Sequence, residues 1–348
     1  MGWARITVRI PDDLKWEMDK HPEINWSAVI RKLLEKYINH ELNAKSIDTR
    51  IMELLNNYKN DIEKLWILHI YLTVLPWKKS DVLETAKLIF NKDMTDVLEE
   101  IENDLNHYGI DVKDYQIRKE LKEIIDSFGC LDKIYLEVID RIKKAPEDIK
   151  KGIWLLTLYI NENVVWIHPE GLNRTYKILT GEDINITTEL VKLGLLYKGI
   201  YSSRAYFFEH CEIPEYTYDI AFEISKGNLL YIEKPSRYAI EKLLKDEKVQ
   251  MFFKWMGRAY KYIEVYGEES IIKKELEEKG LKLSFEEFKD ILKKLIEEGV
   301  LIIDYFPDRR RAGRRSSRPA EWEYKITNDA LNYIGSIVFD LLKEKDKN

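Results

Sequence analysis

Six residues near the start of the chain, Arg5-Ile6-Thr7-Val8-Arg9-Ile10, alternate strictly between polar and apolar. Successive side chains of a strand point to opposite faces, so Ile6, Val8 and Ile10 share one face and Arg5, Thr7 and Arg9 the other. Pro11 ends this strand, and Asp12-Asp13 place negative charge at the start of a helix carrying Leu14, Trp16 and Met18. His21-Pro22 stops that helix. Asn25 and Ser27 then offer N-cap side chains to a second helix. Its apolar positions are Val29, Ile30, Leu33, Leu34, Tyr37 and Ile38, with Arg31, Lys32, Glu35 and Lys36 opposite. One strand leaves its ladder groups unpaired, and two short helices cannot enclose a core. The economical solution is a dimer, in which two chains pair their strands antiparallel over four helices.

In this run, RITVRIPDDLKWEMDKHPEINWSAVIRKLLEKYI, the chain resembles the ribbon-helix-helix family, the Arc/MetJ/CopG superfamily of DNA-binding proteins. The resemblance covers about the first 40 of 348 residues. It implies that the paired strands enter the major groove, so that Arg5, Thr7 and Arg9 face the bases. It also implies that Asn25, Trp26 and Ser27, at the start of the second helix, contact phosphate through backbone N–H groups. The chemistry fits: arginine pairs bidentately with guanine, and threonine offers a hydroxyl and a methyl to base edges. An edge strand guarded by arginines is the plainer alternative. Residues 1–38 hold seven Lys/Arg against six Asp/Glu, so the positive charge of this segment is local to the strand.

The whole chain has 56 Lys plus Arg against 62 Asp plus Glu, a net −6. Charged residues make up 34%, above an average of about 25%. The surplus resembles that of chains selected for high temperature. With 45% hydrophobic residues the chain can bury large cores, and with 15 Gly and 9 Pro it has little turn material. A mainly α (α+β) architecture follows. Cys130 and Cys211 are too few for a disulfide framework or a Cys₄ zinc site, which fits a reducing cytoplasm. The most apolar stretch, Leu65 to Trp77, is too short to span a bilayer. A cytoplasmic protein without metal, cofactor or membrane partner is expected.

The chain divides by pattern into residues 1–45, a helical region 46–145, and two further parts, 146–230 and 231–348. Helices are expected around Ile51 to Tyr58, Leu65 to Leu75, Val82 to Phe90, Val97 to Tyr108, Leu121 to Phe128 and Leu131 to Ile142. In the last part, helices over Met251 to Tyr266, Glu268 to Lys279 and Ser284 to Glu298 precede strands Val300 to Phe306 and Trp322 to Ile326, then a helix Ala330 to Lys343. This order looks like a winged helix-turn-helix. Between its strands, residues 309–318 hold Arg309, Arg310, Arg311, Arg314, Arg315 and Arg318 and no acid, leaving −12 for the rest of the chain. Such a loop is the footprint of a wing tip reaching phosphate, a solvated loop being the alternative. The third helix opens with Glu286, Glu287 and Asp290, so the wing, not this helix, is expected to dominate contact with DNA.

Residues 145–226 echo the same plan. Leu190-Val-Lys-Leu-Gly194-Leu-Leu196 parallels Leu295-Ile-Glu-Glu-Gly299-Val-Leu301. The equivalent turn, Ser202-Ser203-Arg204, holds one arginine, so this copy reads as structural or protein-binding. No Gly-rich phosphate loop, G-x-S-x-G or H-E-x-x-H occurs. His210-Cys211 would point to opposite faces of a strand, and His168 before Pro169 reads as a turn, so no enzyme is expected. The expected function is a homodimeric, sequence-specific binder of double-stranded DNA, a transcriptional regulator. The alternative is a DNA-anchored assembly factor, of segregation or antitoxin type, binding a second protein through residues 47–300.

Overall fold

The computed structural model describes residues 12–20, 26, 49–74, 79–127, 129–162, 166–202, 207–230, 237–257, 260–307 and 320–332. Within them the chain is mainly helical with two small sheets. α1 (Asp12–Asp19) belongs to the N-terminal segment, and α2 (49–58) opens the body. Ile51, Leu54, Leu55 and Tyr58 recur on one face of α2 and are buried, as their helical spacing requires. α3 (Ile62–Thr73) starts where Asp61 accepts a hydrogen bond from the Lys64 N–H at 3.1 Å. It is apolar around its circumference and buried from Leu65 to Leu72. α4 (Lys79–Phe90), α5 (Thr95–His107), α6 (Tyr115–Ser127) and α7 (Cys130–Lys144) complete the helical region.

Two successive stretches then follow one order of elements. The first is α8 (Glu147–Asn161), β1 (Trp166–Ile167), α9 (Pro169–Thr180), α10 (Ile186–Leu193), β2 (Tyr197–Ser202) and β3 (Phe207–Glu212), closed by α11 (Glu215–Ser225). After α12 (Arg237–Leu244) comes the second: α13 (Glu247–Met256), β4 (Tyr260–Glu264), α14 (Glu268–Glu278), α15 (Phe285–Glu297), β5 (Leu301–Phe306) and β6 (Glu321–Ile326). Each forms an antiparallel three-stranded sheet in which the last strand is central, β1-β3-β2 and β4-β6-β5. The expected parallel between Gly194 and Gly299 is present. Each has positive φ (86° and 64°), and the next residue donates back to the carbonyl of Leu190 or Leu295, a helix end that favours glycine.

Three expectations need correction. The helix expected over Met251 to Tyr266 ends at Met256, because Gly257 takes φ 77°, and β4 follows. His168 is not in a turn: it lies buried between β1 and α9. The helix expected from Leu65 to Leu75 begins earlier and ends at Thr73. The strand at Arg5–Ile10, the helix at Val29–Ile38 and most of the final helix lie outside the described residues.

The two stretches pack tightly. Arg174 of α9 bonds Glu268 of α14 and the Tyr324 hydroxyl of β6 (3.1 Å), and lies 4.3 Å from the Trp322 ring centre. At the end of α8, buried Glu162 meets Lys325 at 3.3 Å and accepts the backbone N–H of Asn328. Charges this shielded are costly unless paired, and here each has its counterpart.

Candidate nucleic-acid interface

The residues expected to read DNA fall largely outside the described part. Arg5, Thr7, Arg9, Asn25 and Ser27 lie there, as do Arg309, Arg310, Arg311, Arg314, Arg315 and Arg318. Trp26 is described: it is half-buried, and its indole N–H donates to the carbonyl of Met18 at 3.0 Å. Its side chain therefore ties Trp26 back to the end of α1. On α1, Trp16 is exposed and stacks under the Lys20 ammonium at 3.4 Å.

The described ends of the arginine loop are fixed. Phe306 and Glu321 face each other as the last pair of the β5–β6 ladder. Beside them the Tyr262 and Phe306 rings lie 5.6 Å apart. Asp304 and Glu323 oppose each other further down the ladder, and burial pushes both carboxyls up. Tyr262, pushed up to about 12 by burial and by Glu323, stays a neutral hydroxyl. The stem below the loop is thus acidic and aromatic, and the expected basic surface is confined to 309–318.

The acids that open α15 have a structural use. Ser284 and Glu287 form a reciprocal capping box, and Glu287 also pairs with Lys248 at 2.6 Å. The Lys248 ammonium and the Ser284 N–H hold the Glu287 carboxyl down to about 2. Glu286 pairs with Lys289 at 2.8 Å. An N-terminal carboxylate suits the helix dipole but repels phosphate. A cleft of about 490 Å³ lies where α9, α14 and α15 meet, its apolar lining including Ile178, Ile272, Phe288 and Leu292. Its lining carries both signs, Arg174, Lys177, Lys289 and Lys293 against Glu268, Glu286 and Asp290, so it marks no clear preference for anions or cations. In the earlier stretch, α10 packs against α4, α7, α8 and α9. Its Thr187 is bonded to Asn173.

The His210–Cys211 pair is not a nucleophile–base couple. His210 bonds Glu212 at 2.8 Å, and burial pushes the Cys211 thiol up to about 12, which suppresses the reactive thiolate. Burial holds His168 down to about 4. Among the described residues no helix is long and apolar enough to cross a membrane.

Residues 6–71 match the model of a ribbon-helix-helix protein family. The match supports a ribbon-helix-helix module at the N-terminus, the class of DNA-binding, regulator-type proteins. It runs past the 45-residue segment, through α2 and into α3. No curated protein and no solved structure matches the chain.

Proposed function

We propose that this chain is a homodimeric, sequence-specific DNA-binding protein of the cytoplasm, acting as a transcriptional regulator. The observation that carries the reading is the family match over 6–71, coinciding with the alternation of Arg5, Thr7 and Arg9 against Ile6, Val8 and Ile10. Two chains pair these strands, and the polar face reads bases in the major groove. Backbone N–H groups at Asn25, Trp26 and Ser27 bind phosphate. Residues 146–230 and 231–348 are winged-helix-like domains, a reading supported by their shared order of elements and central last strand. In the second, Arg309, Arg310, Arg311, Arg314, Arg315 and Arg318 form a wing tip that adds phosphate contacts. The helical region 46–145 joins them to the N-terminal module. No catalytic step belongs to this reading.

Arg5→Ala and Arg9→Ala test it. Each bidentate base contact contributes about 1–3 kcal/mol of discrimination, so each change should weaken a cognate pseudo-palindromic site roughly ten- to a hundredfold. Binding to random DNA should fall much less, and the melting temperature should hardly move. Unchanged cognate affinity in both variants would remove the strand as the reader.

A second reading, a DNA-anchored assembly factor, is favoured by one feature of the body. Leu136 of α7 and Tyr218 and Phe222 of α11 expose large apolar side chains on helices that touch. A pull-down with a chain lacking residues 1–45 separates the two readings: retention of a specific protein supports assembly.

A further inference from the structure

We infer that α3, α4 and α5 are a first copy of the unit repeated downstream, and that one threonine at each junction clasps a copy to the hairpin of the next. The three copies share their helix ends. The second helix of each stops at a residue of positive φ: Asn91 (53°), Gly181 (78°) and Gly280 (63°). The third helix of each ends in a leucine, three residues, a glycine and an aliphatic residue: Leu105…Gly109-Ile110, Leu190…Gly194-Leu195 and Leu295…Gly299-Val300. In all three the aliphatic residue's N–H returns to the leucine carbonyl, at 2.8, 2.9 and 2.8 Å. α6 follows the first copy where a hairpin follows the other two.

The junctions repeat as faithfully. Thr85 and Thr175 each stand six residues before the positive-φ residue of their copy. Lys198 and Ile303 each stand four residues after the third-helix glycine of the following copy. Thr85 Oγ1 accepts the Lys198 N–H at 3.0 Å and donates to its carbonyl at 3.4 Å. Thr175 Oγ1 accepts the Ile303 N–H at 3.2 Å and lies 3.3 Å from its carbonyl. Both acceptor strands, β2 and β5, are sheet edges whose outward groups need partners. A hydroxyl can accept and donate at once, so Thr85 alone can answer both outward groups of Lys198, whereas Thr175 accepts from Ile303 while its own nearer acceptor is the Gly171 carbonyl at 2.9 Å. A first-helix residue adds to each junction. His69 meets the Tyr197 hydroxyl of β2 at 2.9 Å, and the Tyr159 hydroxyl donates to Ile303 of β5.

The ends of the array differ from its joints. At the threonine position α14 carries Lys274, whose side chain is 76% exposed, and at the front α2 closes the first copy through Arg50, which donates to the Tyr108 carbonyl at 2.9 Å. Stacked copies of this kind are stabilised by the contacts each makes with its neighbours. The clasps thereby join β2 to α4 and β5 to α9.

Hydrogen exchange with residue-level fragmentation tests the clasp in the full-length chain. In the parent, the outward amides of Lys198 and Ile303 should exchange as slowly as amides inside the ladders. Thr175→Val should speed exchange at Ile303 by about five- to a hundredfold and leave Lys198 alone; Thr85→Val should do the reverse. Thr175→Ser and Thr85→Ser keep the hydroxyl and should keep the protection. Fast exchange at both amides in the parent overturns the inference. So does a valine variant that changes neither amide or loosens both alike. If a valine variant does not fold, the parent and the serine variants still decide.

Discussion

Gly194 answers to two constraints at once. Its φ is 86°, and a Cβ there would lie 2.4 Å from Cζ2 of Trp66 and 3.2 Å from Cγ2 of Val138. Gly181 has a similar φ of 78° but nothing within 4 Å of that point. The left-handed backbone costs a non-glycine residue about 1–2 kcal/mol, and overpacking a filled core adds about 1–3 kcal/mol. Gly181→Ala should therefore lose only the first amount and Gly194→Ala both, on the order of 2–5 kcal/mol by urea unfolding. Equal losses would show that the Trp66 approach yields without cost. The conformational half of this constraint was legible in the spacing of Leu190 and Gly194. The steric half was not, because Trp66 is brought there by α3, far away in sequence.

Elements with a clear apolar period were legible, and the missed ones lack it. β1 has two residues, too few to show alternation. β4 directly follows a helix rich in Phe and Trp, and Val265 and Tyr266 prolong its apolar spacing across Gly257. Where α3, β2 and α11 meet, polar groups were unreadable as a set. Trp66 donates to the Tyr197 hydroxyl at 3.0 Å, Tyr197 and Tyr216 share a hydrogen bond of 3.0 Å, and Tyr216 donates to the Gly194 carbonyl. His69, fully buried beside them, is held down to about 3 by loss of solvent. It stays neutral in the fold, while in the unfolded chain it titrates near 6.5. As pH falls below that value the unfolded state takes up a proton that the folded state refuses, so stability falls. His168, held down to about 4, acts in the same direction. Asp304 and Glu323, pushed up by burial, oppose it: they take up protons in the folded state first. His69→Gln should shrink the stability lost between pH 7 and pH 5 by about 2 kcal/mol. An unchanged pH dependence of urea unfolding would mean that His69 is not the neutral base in this core.

At the scale of the molecule, the apolar core among the described residues runs from Ile51 to Ala330. The strand expected at Arg5–Ile10, by contrast, would offer Ile6, Val8 and Ile10 to no partner strand in the sequence of its own segment. Dimerisation should therefore reside at the N-terminus and folding of the body should not. A chain of residues 46–348 should be a folded monomer at micromolar concentration by light scattering, and a retained dimer mass would move the interface into the body. The same division separates two kinds of DNA recognition. On the proposed reading, base contacts from Arg5, Thr7 and Arg9 would carry specificity, whereas arginines in 309–318 would act on any duplex by neutralising phosphate. Each neutralised phosphate releases counterions and steepens the fall of log K with log salt by about 0.9. Replacing Arg309, Arg310, Arg311, Arg314, Arg315 and Arg318 by Ala should weaken cognate and random DNA alike and flatten that slope by about 0.9 for every phosphate no longer neutralised. The rest of the chain carries −12, so its net charge adds no general attraction for phosphate. An unaltered slope would leave these arginines as solvated charge and the N-terminal ribbon as the whole of the interface.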